Sequence, residues 1–179
     1  MEDLSLHILD IAENSINAGA KNIEIVITDS LSNDLLTIEI KDDGKGIDAE
    51  AQQKVMDPFY TTRTTRKVGL GLALLEEAAK DADGQLKLES ELGKGTKVYA
   101  VFRLSHIDRK PIGNIVDTIV TIIAGNPELN LKFIYKQDDN KFVFDTTEIK
   151  NRIGDLEINS IEIIKFIHQY LSENVNKLL

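Results

Sequence analysis

The chain contains no cysteine. That excludes a disulfide framework, a thiolate metal site and a cysteine nucleophile. A basic excess is missing too: 21 Lys and Arg stand against 30 Asp and Glu, for a formal charge of -9 and a pI of about 4.9. An acidic chain gains nothing from phosphate neutralisation, so no nucleic acid is expected as partner. No apolar run is long enough to span a bilayer, so no membrane is expected either. The opening Met1-Glu2-Asp3-Leu4 lacks the basic and apolar segments of a signal peptide, and a cytoplasmic location is the expectation. Internal repeats and low-complexity tracts are also absent. What remains is 179 residues of 42% hydrophobic content, enough for one well-buried core, or one core plus a small appendage.

Periodicity predicts a helix over residues 4–18, with Leu4, Ile8, Ile11 and Ala12 near one face and Gly19 as its stop. Ile23, Ile25 and Ile27 alternate with polar residues, as do Leu36, Ile38 and Ile40, the pattern of half-buried strands. A short helix over 49–56 is expected to end before Pro58. Residues 60–67 are Thr, Arg and Lys with little apolar content and read as a mobile loop. A Leu- and Ala-rich helix follows over 69–82, then strands over 86–90 and 97–104 around Gly93-Lys94-Gly95-Thr96. This order predicts an α+β protein, a two-layer α/β sandwich with helices on one face of a mixed sheet. Pro111 opens a second region, in which a helix over 112–124, a hairpin over 130–145 and two further helices make a small αββαα extension. Two domains are expected, 1–105 and 106–179.

Four features carry chemistry. In the first helix His7, Asp10, Asn14 and Asn17 recur at i, i+3, i+7 and i+10, one stripe of the surface. It is either a solvated face or a metal-facing one, in which the Asn14 carbonyl oxygen serves Mg²⁺, a hard cation that takes oxygen ligands. Asp42-Asp43-Gly44-Lys45-Gly46 lies at a strand end: an acidic turn, or a carboxylate for the adenine amino group beside glycines that let a ligand reach the backbone. Gly69-Leu70-Gly71-Leu72 opens a helix: either a glycine-rich start packed against a strand, or a site where free N–H groups and the helix dipole favour an anion. Thr96, in a hairpin turn, stands to bridge to adenine beside Asp42.

Taken together, Glu13–Ala20, Asp42–Gly46, Asp57-Pro58-Phe59-Tyr60-Thr61-Thr62-Arg63, Val68–Leu72 and Gly93–Thr96 resemble the GHKL superfamily of gyrase-type topoisomerases, heat-shock chaperones, histidine kinases and MutL proteins. The first box looks most like MutL, the later ones like the catalytic domain of histidine kinases. The resemblance implies the Bergerat fold over about residues 4–104, with ATP or ADP and Mg²⁺ as cofactors. Residue by residue, it implies that Asn14 binds Mg²⁺, with Asn17 on the same stripe. It also implies that Asp42 reads adenine in a loop shaped by Gly44 and Gly46, that Gly69, Leu70 and Gly71 face phosphates, and that Thr96 closes the last box. Arg63, Arg66 and Lys67 lie in the lid, where they either meet phosphates or merely keep a loop soluble. Two departures stand out. Lys67 replaces the first glycine of the family's Gly-x-Gly-x-Gly box. Asp10 holds the place of the glutamate that activates water or a hydroxyl in the family's ATPases and serine kinases. An aspartate reaches roughly 1.5 Å less far, so it either polarises a nucleophile or tunes the metal shell.

No phosphoacceptor hairpin is expected ahead of this domain. His7 reads as a stripe histidine, and His106 and His168 as surface residues. Three functions follow: a regulatory protein kinase acting on a separate partner, a slow ATPase or ATP-gated switch, or a non-enzymatic nucleotide-sensing module. Residues 106–179 are expected to be a structural extension that packs on the sheet or lid, an element that binds a regulatory protein or forms a homodimer, or a mixture of the two.

Overall fold

The computed structural model describes residues 2–48 and 70–178. The helix expected over 49–56 and the lid loop fall outside that range. Helix α1 spans Leu4–Asn17. Asp3 caps it, its side chain accepting a hydrogen bond from the Leu6 N–H. Two more of its unsatisfied N–H groups find partners far along the chain: Leu4 donates to the Pro111 carbonyl at 2.9 Å and Ser5 to that of Ile112 at 2.8 Å. Strands β1 (Asn22–Ser30) and β2 (Leu35–Asp42) form an antiparallel pair in which Ile25 faces Ile40 and Ile27 faces Ile38. Helix α2 (Leu70–Asp81) then leads to β3 (Gln85–Glu91) and β4 (Gly95–Arg103). The turn between them is Leu92–Lys94, so Gly95 and Thr96 belong to β4 itself, and Thr96 pairs with Asp42.

The C-terminal segment follows its expected order: α3 (Ile115–Gly125), β5 (Asn130–Gln137), β6 (Asn140–Asp145), α4 (Thr146–Ile153) and α5 (Ile161–Val175). Asp145 caps α4, accepting from the Thr147 N–H, and Gly154 ends it. These elements do not stand apart from the rest. The sheet has the order β3-β4-β2-β1-β5-β6, and β5 runs parallel to β1 with Ile25 opposite Phe133. All other pairs are antiparallel, so the sheet is mixed. Alternate strand residues point into one layer of helices, in which α1 contacts α2 on one side and α3 on the other, and α3 contacts α5. One apolar cluster joins Leu4, Ile8, Ile38 and Leu75 to Ile119, Phe133 and Leu171. This is the expected α+β two-layer sandwich.

Covering α1 on two flanks corrects one expectation. His7 does not share a solvated stripe: it is fully buried, with the Gly71 backbone nearby, and among the described residues neither ring nitrogen makes a hydrogen bond of ordinary geometry. Burial, aided by the nearby Lys110 charge, lowers its pKa to about 4.

Candidate functional site at one end of the sheet

The last residue of β2 is the centre of the first cluster. Asp42 is buried because its alternation places it on the helix side. A buried carboxylate needs hydrogen bonds, and among the described residues three donors reach it. The Ser15 hydroxyl donates to Oδ2 at 2.6 Å, and the N–H groups of Gly44 and Thr96 donate to Oδ1 at 2.8 and 3.3 Å. A carboxylate offers about four acceptor positions, one more than the described residues fill. Thr96 is held in turn, its hydroxyl 2.9 Å from that of Ser90, which also accepts from the Ile47 N–H.

The glycines around Asp42 make room for protein backbone. Gly46 has a φ of +68°, and a Cβ there would sit 2.0 Å from the Glu91 carbonyl oxygen. Gly95 has a φ of +101°, and its Cβ would sit 2.0 Å from the carbonyl oxygen of Asp42. The loop after β2 is thus pressed onto the β3–β4 hairpin, and Gly93 donates to the Lys45 carbonyl at 2.7 Å. Next door, Asp43 ties the end of β2 to the start of β1, accepting from the N–H groups of Lys21 and Asn22 and from the Asn22 amide. Partial burial opposes its ionisation, but the bonds from Asn22 and Lys21 outweigh this and hold its pKa below the ordinary value.

A second cluster sits on α1. The Asn14 amide nitrogen donates to Asp10 Oδ2 at 3.3 Å, which turns the amide oxygen away from that carboxylate. The same oxygen of Asp10 fills the space where Gly71 would carry a side chain: a Cβ there would lie 1.7 Å from it. Asp10, Asn14 and Gly71 are therefore brought together. Asn17 is exposed in the last turn of α1. Leu70 is the first residue of α2, while Arg63, Arg66, Lys67 and Gly69 lie outside the described residues. Among the described residues no group of three or more His, Asp or Glu side chains is arranged to hold a metal.

Two members of the site escape the sequence reading, Ser15 and Ser90. Ser15 carried a signal: it continues the buried series Ile8, Ile11, Ala12 and is polar at a core position. Ser90 has none, since its role comes from pairing with Thr96 across the hairpin. A separate cleft of about 490 Å³ opens at the same sheet end, lined by Asp42, Asp43, Lys41, Lys132 and Asp145 among others. Its Lys132 is already paired with Glu24 at 3.0 Å.

Residues 2–106 match the model of the Histidine kinase-, DNA gyrase B-, and HSP90-like ATPase family, and the chain belongs to that family. Sporulation kinase C of Bacillus subtilis is 34% identical over 96 residues, covering 54% of this chain and 22% of that protein. Histidine protein kinase SaeS of Staphylococcus epidermidis is 32% identical over 101 residues, 54% of this chain and 28% of its own length. A putative sensor protein of Shewanella frigidimarina is 31% identical over 103 residues, 56% of this chain and 16% of that protein. The chain thus spans only a minor share of each of these relatives. Among solved structures, the N-terminal domain of a DNA repair protein shares the fold, with a TM-score of 0.56 at 21% identity, covering 80% of this chain and 52% of that one. The family match stops at residue 106, so this fold likeness takes in part of the C-terminal segment. No helix among the described residues is long and apolar enough to cross a membrane.

Proposed function

We propose that this chain binds Mg-ATP and acts as a kinase-like regulatory domain, passing a phosphoryl group to a separate protein. The observation that carries the reading is the division of labour on α1. Two consecutive residues serve the two clusters: Ser15 holds Asp42, and Asn14 is bonded to Asp10. One rigid helix therefore sets the distance between an adenine-reading pole and a phosphate pole, and positioning of that kind is the main resource of phosphoryl-transfer sites.

In this reading the open acceptor position of Asp42 takes the adenine amino group, with Thr96 beside it. The Asn14 oxygen serves Mg²⁺, while Gly71 keeps the start of α2 close to Asp10. By the family resemblance alone, Arg63, Lys67 and Gly69 are assigned to the phosphates; their alanine variants should weaken binding if they meet them and leave it unchanged if they only keep a loop soluble. Asp10 is the general-base candidate, and its contact with Gly71 and Asn14 restrains it to a fixed position. The similarity to histidine kinases favours transfer to protein over simple hydrolysis; the shorter reach of Asp10 favours the alternative of a slow ATPase or switch. Residues 106–179 complete the fold around α1 and offer the surface for a partner.

The test is calorimetric titration with Mg-ATP, followed by γ-labelled ATP added to a pull-down from the source cells. Asp42→Asn and Asn14→Asp are each expected to weaken binding by at least about tenfold, the loss of one charge-assisted contact. Unchanged affinity in both sinks the site. A labelled protein selects the kinase, free phosphate abolished by Asp10→Asn selects the ATPase, and binding without either selects a sensor.

A further inference from the structure

The sheet has two edges of opposite character. At β3 the outward-lying residues are Gln85, Lys87, Glu89 and Glu91, all exposed, a charged edge of the kind that discourages pairing. At the other end β6 reads Asn140-Lys141-Phe142-Val143-Phe144-Asp145. Three of its central residues are apolar, Val143 is 41% exposed, and among the described residues no strand pairs with its outer side. Beside it, α5 presents Phe166 and Tyr170, 55% and 39% exposed, with rings stacked at 6.1 Å. Tyr170 also packs on Phe142 and Phe144, so an aromatic ridge runs from the exposed side of the helix to the strand edge.

We infer that β6 pairs with β6 of a second copy about a two-fold axis through Val143, joining two sheets into one. The backbone pattern fits this register. Gln137 and Asn140 close a two-residue hairpin, so they form a hydrogen-bonded pair. Alternation then turns the N–H and C=O groups of Asn140, Phe142 and Phe144 inward to β5, and those of Lys141 and Val143, with the Asp145 N–H, outward, while the Asp145 carbonyl opens α4. With Val143 on the axis, Val143 meets the partner's Val143 and Lys141 meets the partner's Asp145. Each copy's Lys141 is thus opposite a carboxylate, on the open face of the sheet. On the helix face Phe142 meets the partner's Phe144, flanked by Tyr170. A slip to Lys141 against the partner's Val143 keeps the backbone parity but loses both charge pairs. The register is isologous, as a two-fold interface requires.

The absence of cysteine makes the test clean. Val143→Cys introduces a single thiol, and the proposed register brings it about 5.5 Å, Cα to Cα, from its symmetry mate, within disulfide range. Mild oxidation of the full chain is expected to give a reducible covalent dimer. The same treatment of Ile107→Cys, at a position 93% exposed and away from β6, is expected to give none. Sedimentation of the parent chain should show a dimer, and Val143→Lys, which sets two ammonium groups face to face, should weaken it by roughly 100-fold or more. A parent that sediments as a monomer at every concentration overturns the proposal and leaves the ridge to a different protein. So does a dimer that survives Val143→Lys and fails to cross-link through Val143→Cys. If Val143→Lys misfolds by circular dichroism, the cross-linking result alone decides.

Discussion

The two flanks of α1 are built on different principles. Toward α2 a polar contact is set into the apolar packing and leaves no spare volume: the Asp10 carboxylate lies where Gly71 has no side chain, beside buried Leu75 and Ala78. Toward α3 it is apolar, with Ile115, Ile119 and Ile122 all buried and Thr118 within 3.4 Å of the Ser5 carbonyl. The first flank belongs to the stretch shared with histidine kinases, the second to the segment beyond it. Polar groups at the α2 flank and at Asp42 satisfy one another and add little net stability. Apolar area at the α3 flank adds a good deal. On the proposed reading, binding chemistry and the larger share of fold stability are carried by different parts of one core, joined through α1 and through the parallel pairing of β1 with β5.

The largest expected effect breaks that comparison at its apolar side. Leu171 is fully buried in α5, remote in sequence from every residue of the nucleotide site. Leu171→Ala should cost about 2–5 kcal/mol of stability, lost transfer energy plus a cavity. A denaturant titration measures the loss, and nucleotide affinity of the folded fraction should stay within about twofold. If affinity falls along with stability, the two parts are coupled more tightly than their chemistry suggests.

A somewhat smaller effect sits on α1 itself. His7 has its pKa lowered from 6.5 to about 4 by burial. The unfolded chain therefore binds a proton that the folded chain refuses between those values. Stability from this group is intact above pH 6.5 and is lost as pH falls toward 4, on the order of 3 kcal/mol in total at about 1.4 kcal/mol per unit. His7→Leu, which keeps the site apolar, should flatten that part of the stability profile. A profile unchanged between parent and variant would show that His7 does not govern it.

His7 also shows what local sequence conveys. The alternation of Ile23, Ile25 and Ile27 with polar neighbours predicts a strand because one face is buried and one is open, as observed. The C-terminal αββαα order is legible because Asp145 and Gly154 punctuate it with caps. Asp10, Asn14, Asp42 and Thr96 stand out by their ordered spacing, and the fold brings Asn14 to Asp10 and Thr96 to Asp42. The burial of His7 is not, because α1 is covered from both sides and its buried arc, including Ser5, His7 and Ser15, is wider than one apolar stripe. Nor is the pairing of β1 with β5, since nothing local in residues 22–30 specifies a parallel neighbour a hundred residues away.

The smallest expected effect tests the polar side. The Ser15 hydroxyl donates to Asp42 Oδ2 at 2.6 Å, while the other two donors, Gly44 and Thr96, both bond Oδ1. Ser15→Ala would leave Oδ2 buried without its donor, at a cost of about 1–3 kcal/mol. The carboxylate would then be free to rotate out of the plane in which its remaining acceptor position is held. Affinity for Mg-ATP should therefore fall by roughly tenfold, a larger change than any made by truncating Leu171, although the stability loss is smaller. That inversion is what the comparison of flanks demands: the substitution that disturbs the fold least should disturb the site most. Calorimetric titration of both variants under identical conditions decides it, and equal affinities would remove Ser15 from the site and return it to the core.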